Sequence, residues 1–432
     1  MKRSCWLLLL LLLFAHANAN AHGAPPAAVP AMAAPPASNG LAVAGRALNL
    51  RHFDHLYADR VIAGREMAVV HIYAKHPDYR FDIEPNEGFT CVDDVARALV
   101  VLAREWQQAK DPELLRKIRR LTEFVLYLQN ENGYFNNFLW GDLRINTDYK
   151  TSVAELNWWS LRALGGLEMV LPLLDAEPVL AARIRAATDR LVANLVQDLP
   201  NQPRKTTTVA GVPVPDWLPA GSGADQAAEA IIGLLPHLQR TGNAAARRLI
   251  ETLADGLLLM QKGDAQHYPY GMFLSWRNTW HAWGNVQAYA LLSAGERLQR
   301  KDYIASALLE IDNFYPHLLK TGLAEAIEIR AEGAAYVEVS RREFPQIAYG
   351  LRPMVFAALK AHALTGQAKY RALAEAAGAW FHGRNAAATA MVDTASGRVF
   401  DGIVGPGQVN RDSGAESTIE ALLTLQALRD SR

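Results

Sequence analysis

Six stretches of the chain begin with acidic, amide or aromatic residues and then run on into apolar ones. They open at Asp93 and Asp94; at Glu155, Asn157, Trp158 and Trp159; at Asp225, Gln226 and Glu229; at Trp280, His281, Trp283 and Asn285; at Glu343, Gln346 and Tyr349; and at Asp412, Glu416 and Ser417. Carboxyl groups gathered in one pocket can do acid–base work. One that stays protonated donates to a leaving oxygen, while a second, ionised, activates water or attacks carbon. Crowding such groups pushes their pKa values apart and supplies both states. Taken singly, each acid has a simpler role, since an aspartate at a helix start caps backbone N–H groups and complements the helix dipole. Asp412 or Ser413 followed by Glu416 even has the form of a capping box. Six polar openings on otherwise apolar segments imply a shared purpose.

Tryptophan points the same way. Of ten in the chain, seven (Trp140, Trp158, Trp159, Trp217, Trp276, Trp280 and Trp283) fall between residues 140 and 283. Most lie in loops or first turns, where core packing explains them poorly. A flat amphipathic ring beside carboxylates suits the C–H face and hydroxyl rim of a pyranose. Metal and phosphate chemistry have less support. There is no HExxH pattern, cysteine cluster, EF-hand loop, phosphate-cradling glycine motif or nucleophile elbow. No metal and no cofactor are expected.

These residues need a scaffold that brings helix starts together. Alanine and leucine recur at helical spacing almost throughout, and β-branched residues form no alternating runs. Segments apolar nearly all round occur near 92–106, 151–170, 224–239, 279–298, 345–365 and 413–428, at roughly 60–70-residue intervals. Amphipathic segments alternate with them near 47–75, 112–129, 177–198, 244–261, 301–317 and 367–382. A helix apolar on every side must be surrounded by protein. The pattern predicts an all-α fold of twelve helices in six hairpins, an (α/α)6 toroid over 47–432. The long connections (130–150, 199–223, 262–278, 318–344 and 383–412) all lead into inner helices, so they gather on one face and build a site there.

The N-terminus reads as an export signal. Lys2 and Arg3 precede a leucine-rich run too short to span a bilayer, and small residues follow, which predicts a signal peptide over 1–21. An Ala/Pro-rich linker is expected over 22–46. The expected location is periplasmic or secreted, with no membrane span. With the signal removed, Cys91 is the sole cysteine and is read as buried and inert. Basic and acidic residues balance at 44 each, and no basic run suggests nucleic acid as a partner.

Two stretches resemble a known family. Gly88-Phe89-Thr90-Cys91-Val92-Asp93-Asp94-Val95-Ala96-Arg97-Ala98-Leu99 is similar to the opening of helical toroid domains in bacterial polysaccharide-related proteins. Trp380 to Asn385, then Phe400-Asp401-Gly402 and Asn410 to Ser417, look like the closing hairpin of endoglucanase toroids. The chain thus resembles the six-hairpin glycosidases over its helical body. That resemblance implies Glu416 as proton donor and Asp93 or Asp94 as the partner that handles water, with Asp401 a further candidate. Glu155, Trp158, Trp159, Trp217, Asp225, Trp280, His281, Trp283 and Asn410 are the expected sugar contacts. The leading expectation is a glycoside hydrolase cleaving a poly- or oligosaccharide. A polysaccharide lyase would instead use His281, Tyr268 or Tyr270, and Arg277; a non-catalytic glycan-binding protein would use the same cleft without turnover.

Overall fold

A computed structural model describes residues 48–200 and 205–432 of the chain. The expected signal peptide and linker lie outside the described residues. Twelve α-helices make up the body. Six form an inner ring: α2 (Val92–Ala109), α4 (Trp158–Val170), α6 (Ala224–Thr241), α8 (Gln287–Leu298), α10 (Ala348–Thr365) and α12 (Ala415–Asp430). Six lie outside it: α1 (Arg51–Leu56), α3 (Pro112–Tyr127), α5 (Pro178–Asp198), α7 (Ala244–Met260), α9 (Lys301–Thr321) and α11 (Ala368–Gly378). Each inner helix packs on the next, and α12 packs back on α2. An open solenoid would leave those two helices apart. The ring is closed, and the (α/α)6 toroid expected from the sequence is the observed fold.

The connections on the two faces differ for a local reason. On one face α2, α6, α8 and α10 each end on a left-handed residue (Lys110, Gly242, Gln299 and Gly366), and the following outer helix begins two residues later. A left-handed C-cap reverses the chain in the shortest space. On the opposite face the long connections carry small antiparallel sheets, the largest joining Thr279–His281 to the hairpin of Ala326–Glu332 and Ala335–Arg342.

Three boundaries depart from the sequence reading. The first amphipathic segment, expected as a helix over 47–75, is helical only in α1. It continues as a hairpin, Tyr57–Ile62 with Arg65–Val70, turning at Ala63 and Gly64, both at positive φ. Two such residues define the tight turn that suits twisted strands, and Val61, Ile62, Val69 and Val70 favour the extended state. The expected inner helices at 151 and 279 begin only at Trp158 and Gln287. Residues 151–157 form turns, and Thr279–His281 is held as a strand by pairing with Ala326–Glu328.

The entry to α2 is fixed tightly. Gly88 has φ +132°, and a Cβ there would lie 1.9 Å from the carbonyl oxygen of Leu139, which accepts the Phe89 N–H. Gly88→Ala therefore forces backbone apart in the turn just before Asp93. The expected cost is about 3 kcal/mol or more, read as a fall in melting temperature.

A buried acid on α9 sets a pH dependence. Glu310 is fully buried; one oxygen accepts the Phe273 N–H at 2.8 Å and the other has no partner among the described residues. Burial pushes its pKa up to about 8. The folded state thus favours the protonated form. The associated stability is complete below the ordinary glutamate range and lost as pH rises through about 8. Glu310→Gln should remove that loss, gaining on the order of 4 kcal/mol over wild type above about pH 8 and little near pH 4. Equal pH dependence of denaturant midpoints in the two proteins would refute it.

Candidate functional site

The first turns of the inner helices meet on the face that carries the long connections, and their charged side chains form one network. Cys91 caps α2: its sulfur accepts the Asp94 N–H, and its thiol faces Asp94 Oδ2 at 3.3 Å. It is buried, as expected, and burial raises its pKa far above the usual thiol value. Asp93 and Asp94 follow on the next two positions. Arg97, one turn further on, reaches Asp93 at 3.0 Å, Asp94 at 2.6 Å, Glu416 at 3.5 Å and Glu420 at 2.6 Å. Arg162 from α4 pairs with Asp93 and bonds to the Tyr349 hydroxyl, and Arg352 from α10 pairs with Glu420. The Tyr349 ring sits among all three guanidinium groups, 5.1–5.4 Å from each. A layer of three arginines thus crosses the ring axis, with carboxylates on each.

The carboxyl groups in this layer are not equivalent. Glu416 is open to solvent on one side, with 46% of its side chain accessible, but protein encloses it elsewhere. That enclosure raises its pKa to about 7, against the pull of Arg97 and with the help of Asp94 and Glu420. Glu420, one turn deeper, is fully buried. Burial alone would raise it, but Arg352 and Arg97 hold it below the ordinary value. Burial likewise raises Asp94 despite Arg97. Asp93 Oδ2 is shared by two guanidinium groups, while its Oδ1 is buried without a partner among the described residues. Asp93 and Glu416 both approach the same Arg97 nitrogen, so they are close neighbours. This is two carboxyl groups in different electrostatic settings, facing one space.

Aromatic residues wall that space. Trp158 lies 5.0 Å below Arg162 and tilts against Trp283 at 6.1 Å. The backbone of Gly284 fits between Trp158 and Tyr349; a Cβ there would come within 2.8 Å of the Tyr349 oxygen. His281 stacks on Trp283 at 3.5 Å. Its Nδ1 faces the Trp283 carbonyl at 2.7 Å and its Nε2 faces Asp225 at 3.1 Å, so both ring nitrogens are engaged. Glu155 is half-buried beside Asn157, and burial raises its pKa.

The structure brings together Asp93, Asp94, Glu416 and Trp158, with Trp283, His281 and Asp225 alongside. Other expected residues lie elsewhere. Asp401 accepts the Gly414 N–H at 2.9 Å and the Ser417 hydroxyl at 2.6 Å, holding the start of α12 in place. It positions Glu416's helix and makes no contact with Asp93 or Asp94. Asn410 lies on the neighbouring hairpin and accepts the Asp412 N–H. Trp159, Trp217 and Trp280, expected to face sugar, are 3–4% exposed and belong to the core. Their indoles are inside: Trp159 donates to the Phe135 carbonyl, Trp217 to the Thr252 carbonyl, and Trp280 packs edge-on against Phe314 with its N–H unpartnered among the described residues. The lyase set is not assembled either, because Tyr268 donates to Glu338 and packs with Tyr270 near His317, while His281 faces Asp225.

The arginine layer was not anticipated. Its signal was present, since Arg97, Arg162, Arg352 and Glu420 each interrupt a helix otherwise apolar all round. A charge in such a position must find its counter-charge on another inner helix.

Neither a protein-family model nor a curated protein sequence matches this chain. Solved structures do. A sugar epimerase from a ruminal bacterium superposes with TM-score 0.59 at 11% identity, covering 88% of this chain and 96% of that one. A D-mannose isomerase gives 0.57 at 13% identity, covering 84% and 91%. An inactive α-1,6-mannanase of Salegentibacter sp. HEL1_6, with two adjacent aspartates replaced by asparagine and mannotriose bound, gives 0.53 at 12% identity, covering 84% and 96%. The chain has the fold of the six-hairpin glycosidases. At these identities the likeness establishes the architecture, and chemistry has to be argued from the residues.

Proposed function

We propose that the chain is a glycoside hydrolase whose proton donor is Glu416 and whose second carboxylate is Asp93. The observation that carries this reading is the contrast between the two groups. Glu416 faces open space with its pKa raised to about 7. It can hold a proton near neutrality and give it to a leaving glycosidic oxygen. Asp93 is ion-paired to Arg97 and Arg162 beside it, and as the second carboxyl group it would orient a water or meet the anomeric carbon. Trp158 and Trp283 offer ring faces to the sugar. The mannanase of similar fold acts on a mannan and carries an adjacent aspartate pair, which supports placing Asp93-Asp94 at the reacting end. The leucine-rich N-terminus supports an exported enzyme with an extracytoplasmic glycan as substrate.

A sugar epimerase or isomerase is the second reading, supported by several structural neighbours of that kind. It needs a base that abstracts and returns a proton beside a carbonyl. The histidine nearest the aromatic wall, His281, has both nitrogens occupied, which favours hydrolysis. Incubation with α- and β-linked manno- and gluco-oligosaccharides separates the two: hydrolysis yields new reducing ends, and epimerisation changes the sugar without raising their number. Release of no reducing ends from any glycan, with a free sugar epimerised instead, would reject the hydrolase.

A further inference from the structure

Below the arginine layer, on the side of the short helix connections, the ring encloses a cavity of about 880 Å³. It extends from Arg97, Arg162 and Arg352 in the layer down to Gln107 and Gln239 near the C-terminal ends of α2 and α6, and the Glu416 site faces the other way. The volume falls in the range of small-molecule pockets, roughly 300–1,000 Å³. Six arginines and three acids line it.

The acids are all taken. Glu168 accepts from Arg240 at 2.7 Å, Asp175 from Arg185 at 2.7 Å, and Glu229 pairs with Arg162 at 3.4 Å. The arginines are not. Arg97 is surrounded by the carboxylates of the layer, but Arg352 pairs with Glu420 through Nε alone. Arg352 is 6% exposed, and its two terminal nitrogens have no hydrogen-bond partner among the described residues. Those nitrogens are not sealed in protein as Arg162 Nε is. Arg104 is half-buried and has neither a hydrogen bond nor a paired carboxylate among the described residues. Both guanidinium groups border the Phe356 ring, Arg104 at 5.1 Å and Arg352 at 5.4 Å. Tyr289 meets the same ring edge-on at 5.5 Å, and its hydroxyl is likewise open and without a partner among the described residues. Helices α2, α8 and α10 thus bring two cationic donors and a phenol to one ring in the cavity wall.

Free cationic donors with no free acid beside them specify the ligand. A cation would find no carboxylate to hold it, and a neutral molecule would leave the charge of Arg104 unbalanced. A carboxylate or phosphate accepts from the guanidinium forks and neutralises them. Both arginines lie more than a turn from the C-terminal ends of their helices, clear of the negative pole there. We infer that this cavity is a second binding pocket, for a small organic anion, entered from the face opposite the long loops. The carboxylate or phosphate meets Arg104, Arg352 and the Tyr289 hydroxyl, and the body of the molecule lies along Met169, Ile232 and Leu423. The inference is independent of what the loop-side site catalyses.

Calorimetry of the intact chain with glucuronate and glucose 6-phosphate tests it, the pair telling a carboxylate from a phosphate. At least one of them should bind saturably. Arg104→Gln should weaken that binding about tenfold or more, with a melting transition within a few degrees of wild type because the side chain has no partner to lose. Phenylglyoxal modification of Arg104 in the unmodified chain, read by peptide mass, should be slowed by the same anion and not by glucose. That measurement decides alone if Arg104→Gln fails to fold. Binding of neither anion, or unchanged affinity in folded Arg104→Gln, overturns the inference. Modification of Arg104 that the bound anion does not slow also overturns it. Glucose protecting Arg104 as well as either anion does so too, by showing that charge is not the recognised feature.

Discussion

Glu416→Gln should lower the rate of glycan cleavage by about 10²- to 10⁴-fold, the contribution typical of a positioned proton donor. The amide keeps the shape of the side chain and cannot donate to the leaving oxygen as an acid. Because burial disfavours the ionised form of Glu416, the neutral variant should melt at the wild-type temperature near pH 5 and no lower near about pH 8. With Glu416 as the proposed donor, catalysis needs it protonated, so activity should fall as pH rises through about 7. Reducing-end release measured across pH, beside melting curves for both proteins, checks all three statements. Full turnover in the variant would exclude Glu416 as the donor.

Arg97→Met should have the largest effect on stability. It removes one guanidinium from four carboxyl groups, two of them, Asp94 and Glu420, almost wholly buried. Breaking a buried pair and stranding its partner costs about 3–5 kcal/mol. The cost depends on pH. Glu420 is held below its ordinary pKa by Arg352 and Arg97, so that stabilisation is present above the usual glutamate range and lost as pH falls. The penalty should therefore be larger near about pH 7 than near pH 4. Arg97 also pulls the Glu416 pKa down. Any activity left in the variant should persist to higher pH than in wild type. A merely structural role for Arg97 would lower stability without moving that limb.

The architecture was legible because ring burial writes itself into composition: inner helices are apolar all round, and outer ones are apolar on one face. Closure of the ring followed from the regular spacing and the one-sided long loops. The first hairpin was misread because Val61, Ile62, Val69 and Val70 sit in a stretch whose apolar spacing also fits a helix, and cross-strand pairing decided the outcome. Position at helix starts was enough to expect Asp93, Asp94 and Glu416 side by side, which is where the structure has them, but three of the tryptophans expected beside them are in the core. Trp217 and Trp280 sit in or beside long loops, yet those loops fold down and bury them. Sequence distance from a helix body says little about exposure when connections carry their own small sheets. Asp401, a further candidate by sequence, accepts two hydrogen bonds that brace the start of α12, a role its loop position does not reveal.

The seam where α12 meets α2 has a consequence for how activity is gained. Among the bonds that cross it, Arg97 to Glu420 and Arg97 to Glu416 join residues 323 and 319 positions apart. Contacts of such separation form late, because nearly the whole chain must be ordered before they are rewarded. Glu416 and Asp93, the pair proposed to react, lie on opposite sides of this joint. Until the circle shuts, Glu416 and Glu420 lack the Arg97 that pulls on their charge, so the reactive pair is completed only in that latching step.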